Sequence, residues 1–220
     1  MTLPATPAHA PVCRHADAAL LVFDKPAGML AVPGRGPAKA DSLASRALEF
    51  DAGARIVHRL DMATSGLMLL ARGAAAQRAL NRAFAERRVT KRYIAVVAGR
   101  VAGSADAWYS IELPLACDWP NRPRQRVDHA HGKPSLTRYR VLAHDAASDS
   151  TRLELEPVTG RSHQLRVHLL ALGHPIVGDA LHADAGVRAR APRLLLHAAR
   201  LGLRHPFSGA PLEFASAAPF

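Results

Sequence analysis

The chain has 220 residues, 49% hydrophobic and 21% charged, a balance that suits a folded core and excludes a wholly disordered chain. Its 29 Lys and Arg exceed its 18 Asp and Glu, for a formal net charge of +11. Fixed positive charge of that size favours a polyanionic partner, through counterion release from phosphates, without naming a chemistry. Two cysteines, Cys13 and Cys117, make neither a disulfide framework nor a zinc pair. No segment has the length of a membrane span and residues 1–17 lack a secretory pattern, so the expectation is a cytoplasmic protein with no membrane partner.

Residues 1–16, rich in Pro, Ala and Thr without periodicity, read as a flexible leader ahead of a single domain over 17–220. A short apolar strand is expected over 19–23. Asp-Lys-Pro-Ala-Gly (24–28) then supplies turn chemistry, with Pro26 fixing its own φ and Gly28 open to positive φ. The Gly-Arg-Gly at 34–36 does not lead from a strand into a helix, which argues against a dinucleotide site. Asp41 or Ser42 can cap a helix running to about Phe50. Residues 66–71 read as a buried strand. Residues 73–88 read as a helix with Ala76, Leu80, Ala83 and Phe84 at core spacing. Arg78, Arg82, Arg87, Arg88, Lys91 and Arg92 form a basic run that fits a solvated face or an RNA-facing stripe equally well. Strands are expected at 93–98, 136–142, 151–156, 194–197, 201–203 and 212–214. Between them a helix spans 162–172, with Leu165, Leu169 and Leu172 on one stripe and Gly173 as its stop. Strands outnumber helices and do not alternate with them, which indicates an α+β fold with a largely antiparallel sheet.

Two polar constellations stand against this apolar background. His-Arg-Leu-Asp-Met-Ala-Thr-Ser-Gly (58–66) places Asp61 at the mouth of a buried strand, where a carboxylate can meet a ligand. A surface loop whose Asp61 caps amides or pairs with Arg59 would look the same. Gly-Arg-Ser-His-Gln-Leu-Arg-Val-His (160–168) crowds five polar side chains ahead of an apolar helix, an arrangement that suits anions or a basic helix edge in water. The 12 histidines yield no metal set: His129 with His131, and His163 with His168, lack acidic partners at ligand spacing, and there is no HExxH. No G-x-S-x-G elbow supports a serine hydrolase. Aromatics are only 5% of the chain. Tyr93 follows Lys91 and Arg92, and Trp119 lies among Asn121, Arg122, Arg124 and Arg126. Rings beside guanidinium groups can hold unpaired bases or simply pack locally.

Together these segments resemble the RluA-type pseudouridine synthases from about Leu21 to Phe214. The motifs are Asp-Lys-Pro-Ala-Gly (24–28), the 58–66 segment, Lys-Arg-Tyr-Ile-Ala (91–95), Cys-Asp-Trp-Pro-Asn-Arg-Pro (117–123), the 160–168 segment, Gly-His-Pro-Ile-Val-Gly-Asp (173–179) and Leu-Leu-Leu-His-Ala (194–198). Asp24 stands where the family carries Asn. The resemblance implies a pseudouridine synthase fold, a mixed and largely antiparallel central sheet flanked by helices and loops, without the S4-type RNA-binding domain of some relatives. It implies an isomerase that converts uridine to pseudouridine by flipping out the nucleotide. Asp61 is then the catalytic carboxylate, Arg166 the guanidinium paired with it, and Tyr93 the ring against the target base.

The same resemblance puts Arg59 in the gap left by the flipped base and makes His58, Thr64, Lys91, Arg92, Trp119, Arg122, Arg161, His163 and Gln164 further RNA contacts, with Leu195 and Leu196 lining the pocket. No cofactor and no metal are implied. The expected partners are tRNA, at its anticodon loop, and large-subunit (23S) rRNA, bound by a monomer. The alternatives are a paralogous synthase acting on a different RNA uridine and a non-catalytic RNA-binding protein on the same fold.

Overall fold

The computed structural model describes residues 10–220. In chain order the elements are β1 (Val12–Ala16), β2 (Leu20–Lys25), α1 (Leu43–Phe50), β3 (Ala54–Ile56), β4 (Ser65–Arg72), α2 (Gly73–Ala85), β5 (Thr90–Ala98), β6 (Tyr109–Glu112), β7 (Leu115–Cys117), β8 (Gln125–Val127), β9 (Leu136–Asp145), β10 (Ser150–Pro157), α3 (Gln164–Ala171), α4 (Ala185–Ala189), β11 (Leu196–Arg204) and β12 (Pro211–Ala215). The described residues form two compact units: residues up to 91 with 198–219, and 92–197 with Phe220. The fold class is α+β with mostly antiparallel strand pairing, as expected. No helix among the described residues is long and apolar enough to cross a membrane.

In the first unit β2 pairs antiparallel with β4, from Leu20 opposite Ala71 to Lys25 opposite Gly66. Both strands read as continuous apolar runs because both of their faces are covered. Leu20, Val22, Leu67, Leu69 and Ala71 pack with Ala76, Leu80 and Ala83 of α2 and with Leu201 and Leu203 of β11. Phe23 belongs to the alternate set and meets Phe50 of α1 edge-on at 5.8 Å. The α1 start is set by a capping box, in which Ser42 and Ser45 each accept from the other's amide, as Ser at such a position favours. Of the leader expected over 1–16, residues 1–9 lie outside the described residues, and the rest corrects it. Val12–Ala16 is an edge strand antiparallel to β2, held by Arg14 to Asp24 at 3.1 Å and by His15 packed on Phe214 at 5.1 Å. Its side chains are polar or small, so no apolar period announced it. The two strands expected at 194–197 and 201–203 are likewise one, β11, because Arg200 can face solvent without interrupting the ladder to β12.

In the second unit β10 lies between β5 and β9, and β6 pairs the far edge of β9, all antiparallel. Directly opposed residues share a face, so the register sorts this sheet into two chemistries. Tyr93, Leu155, Tyr139 and Tyr109 form one cross-strand row. On the other face Glu154 sits opposite Arg140 and accepts from it at 2.6 Å, while Glu156 pairs with Arg92. Thr137, two residues from Tyr139, is bonded by both Gln164 and His168. Hence α3 covers the face that carries Tyr93. The helix begins at Gln164, two residues later than its apolar stripe suggests, because His163 at its cap takes a left-handed φ of 52°.

Candidate active site

In the first unit a loop carrying Asp61 leads into β4. Thr64 N–H closes it by donating to the Asp61 carbonyl at 3.1 Å. It is clamped from below by Lys25, a fully buried cation whose Nζ donates to the carbonyls of Pro26, Met29 and Met62 at 3.0, 2.9 and 3.2 Å. A buried ammonium is expensive unless its donors are used, so these bonds fix the 24–28 turn and the Asp61 loop as one piece. Gly28 N–H reaches the Met62 carbonyl at 2.9 Å and tightens the same junction. Gly66 is obligatory here: its φ is 109°, and a Cβ would lie 2.3 Å from the carbonyl oxygen of Ala198. Asp24 is absorbed by strand packing, taking Arg14 and the Ser216 hydroxyl.

In the second unit the six residues of α3 from Gln164 to Leu169 are all buried. Three of the six are polar, and each is satisfied. Gln164 uses its whole amide: Oε1 accepts from the Thr159 hydroxyl at 2.7 Å and the Arg161 amide at 3.0 Å, and Nε2 donates to the Leu136 carbonyl at 2.9 Å and Thr137 Oγ1 at 3.0 Å. His168 Nε2 meets the Leu113 carbonyl at 3.0 Å and its Nδ1 meets Thr137 Oγ1 at 2.9 Å. Arg166, 3% exposed, is gripped by Asp179, 1% exposed, through Nε to Oδ2 at 2.8 Å and Nη2 to Oδ1 at 2.5 Å. Such a two-point pairing fixes the plane of a guanidinium as well as its position.

Burial alone would push the Asp179 carboxyl up, but Arg166 and the amides of Leu181 and His182 hold it below the usual carboxylate range. His182 is drawn down to about 4, first by burial and then by Arg166, and bonds the ring of His163 at 2.9 Å. Asp179 is the last residue of the 173–179 motif. Its residue type gives no hint that it holds an arginine thirteen positions back.

The expected RNA contacts divide by what their side chains already do. Arg59 and Arg161 are exposed, and Arg59 has no acid partner among the described residues. Trp119 is 69% exposed, with the Arg122 guanidinium 3.1 Å from its ring centroid. Lys91 and His163 are half-buried.

Four other expected contacts have side chains that are buried or already partnered. His58 Nε2 accepts the Leu69 amide at 2.9 Å, and its ring stacks on Phe84 at 4.7 Å. Burial first, and then Lys91, lowers its pKa to about 3, so it is a neutral structural ring. Thr64 is buried. Gln164 has no donor or acceptor left for a base. Arg92 is paired with Glu156 and lies over the Trp108 ring at 4.5 Å. Leu196 is buried and Leu195 half-buried, and the backbone of Leu195 ties Val96 to Val177 by bonds of 3.1 and 3.0 Å.

The α+β fold with its antiparallel strand pairing is shared by a class that comparison with known proteins identifies. The RNA pseudouridylate synthase family matches residues 19–171, and the chain belongs to that family, whose members are isomerases. Among curated relatives, the dual-specificity RNA pseudouridine synthase RluA of Yersinia pestis is 48% identical over 204 residues, covering 93% of this chain and 97% of its own. The protein of the same description from Escherichia coli K12 is 47% identical over 209 residues, covering 95% and 94%. Among solved structures, human RNA pseudouridylate synthase domain containing 1 aligns with a TM-score of 0.79 at 32% identity, over 96% of this chain and 84% of that one.

Proposed function

We propose that this synthase acts on uridines in two kinds of RNA, a tRNA anticodon loop and large-subunit rRNA, with Asp61 as its catalytic carboxylate. The reaction breaks the bond from ribose C1′ to uracil N1, turns the detached base, and joins C1′ to C5. The C5 proton leaves and N1 gains one, so atoms balance without a redox partner. Asp61 is the group for the step at the sugar. The observation that carries this reading is its setting: a carboxylate at the mouth of β4, on a loop that the buried Lys25 holds rigid, as an acting group requires. Tyr93 is the ring for the base. Arg166 is the fixed cation, its plane set by Asp179. Arg59, Lys91, Trp119, Arg122, Arg161 and His163 supply RNA contacts, and Leu195 and Leu196 line the base pocket. The protein works as a cytoplasmic monomer, its substrate being the flipped nucleotide of a single RNA loop.

The test is tritium release from RNA labelled at uracil C5, with tRNA and ribosomal RNA transcripts, comparing wild type with Asp61→Asn. Release by wild type alone is expected, with RNA affinity nearly unchanged in the variant. Turnover by the variant at the wild-type rate would remove Asp61 from the chemistry. Tight binding by wild type without release from either RNA would leave an RNA-binding protein or a different target uridine.

A further inference from the structure

Two short stretches of the second unit are bonded to each other at both of their ends. One runs from His163 to Arg166 at the start of α3, the other from Asp179 to His182. Asp179 takes the Arg166 guanidinium at 2.8 and 2.5 Å, and His182 Nε2 meets His163 Nδ1 at 2.9 Å. The second stretch is also closed on itself, because the amides of Leu181 and His182 both donate to Asp179 Oδ1, at 2.9 and 3.1 Å. The first is closed by the helix, with His163 at its cap and Arg166 in its opening turn. Ring to ring, amide to carboxylate and carboxylate to guanidinium, the bonds form a circuit.

The link between the two histidines is made at the expense of the helix start. His163 takes a left-handed φ of 52°, a conformation L side chains seldom adopt. Its side chain gives α3 no cap bond, the service a polar residue at that position most often supplies. The ring turns instead to His182 and meets it at an interplanar angle of 79°. Two neutral imidazoles bond only when one donates and the other accepts. Apolar side chains could fill the same space, but a satisfied polar network fixes direction as well. Burial, and then the Arg166 charge, draw His182 down to about 4, so no second cation competes for Asp179.

We infer that His182 is a positioning residue for the isomerisation: its ring ties the cap of α3 to the Asp179 turn, and so steadies the carboxylate that sets the plane of Arg166. This rests on the reading of Arg166 as the fixed cation of the reaction. Without the ring, Asp179 keeps its two amides, but its turn loses the second side-chain bond to the start of α3. A guanidinium whose grip swivels with that turn spends less time in the reacting geometry.

His182→Leu should lower kcat for tritium release from a tRNA transcript about tenfold, with KM and the thermal midpoint near those of wild type. His182→Gln, whose amide can meet the His163 ring as donor or acceptor, should recover most of that loss. The Nε proton of Arg166, followed by NMR, should exchange with solvent faster in the leucine variant than in the glutamine variant. Equal loss of kcat in both variants, or a loss that tracks the thermal midpoint, would overturn the inference and leave His182 a residue of the fold alone. Full kcat in His182→Leu would overturn it too, with the role of Arg166 untouched. That role is tested separately by Arg166→Gln, where turnover at the wild-type rate would defeat the reading on which the inference rests.

Discussion

The loop around Asp61 and the helix around Arg166 are both built from motifs crowded with polar residues, yet they handle polarity in opposite ways. In the first, backbone does the fixing. Lys25 and the amides of Gly28 and Thr64 bind carbonyls of the loop, and Arg59 faces solvent. In the second, side chains fix one another: Gln164 and His168 are buried and bonded to Thr159 and Thr137, and the buried Arg166 is oriented by Asp179. Polar density in a motif therefore says that something is held, and only the partners say whether it is held for a ligand or for the fold. A loop can present its side chains because its backbone is secured, whereas a buried helix must satisfy its polar groups internally.

The contrast is sharpest when one chemical change, carboxylate to carboxamide, is made in each place. Asp179→Asn removes a carboxylate that grips the buried Arg166 at two points, a loss of about 3–5 kcal/mol when one partner of such a pair is removed. It should lower the urea midpoint far more than Asp61→Asn, which should spare the fold and stop turnover. Equal destabilisation by both would erase the distinction between presenting loop and self-satisfied helix.

Trp119, an exposed aromatic of the second unit, comes next in size. Trp119→Ala should weaken RNA binding by about 1–3 kcal/mol if a base stacks on the ring, with no change in the unfolding midpoint. A lower midpoint with intact binding would instead make Trp119 part of the fold.

The smallest effect concerns the residue of the first motif that does serve the fold. His58 has a folded pKa of about 3 against an ordinary value of 6.5, so below that ordinary value the unfolded chain takes the proton first. Its contribution to stability is thus whole above pH 6.5 and declines as pH falls towards 3. His58→Asn keeps an acceptor for the Leu69 amide and does not titrate. Its urea midpoint should decline less than that of wild type between pH 6.5 and pH 4. Parallel declines would place the ring in water.

Much of this was legible beforehand because it rests on local rules. The apolar runs of β2 and β4, the Ser42 cap and the core spacing of α2 all follow from periodicity and capping chemistry. What escaped were features decided by distant partners. Val12–Ala16 is a strand because β2 offers it an edge, not because of its own pattern. Gln164 and His58 look like ligands for RNA by type, and only the fold shows the partners they have within the protein. Asp179 became visible only when Arg166 was seen between its oxygens. Gly66 could be recognised as a turn glycine, but the approach of Ala198 that forbids any side chain there belongs to a segment more than a hundred residues away.

The bonds around Thr137 fix more than the packing of α3. The Leu113 carbonyl can only accept, so the neutral His168 ring must carry its hydrogen on Nε2. Nδ1 then accepts a hydrogen bond from the Thr137 hydroxyl, and that hydroxyl in turn accepts from the Gln164 amide, which has no other orientation that satisfies its four neighbours. Every arrow in this chain points one way and ends on a peptide oxygen. A histidine wired like this is an insulator: it can neither receive a proton from a reacting base nor pass one on. The second histidine of the 160–168 motif is thereby removed from proton transfer, and that task falls to groups outside the interior of α3.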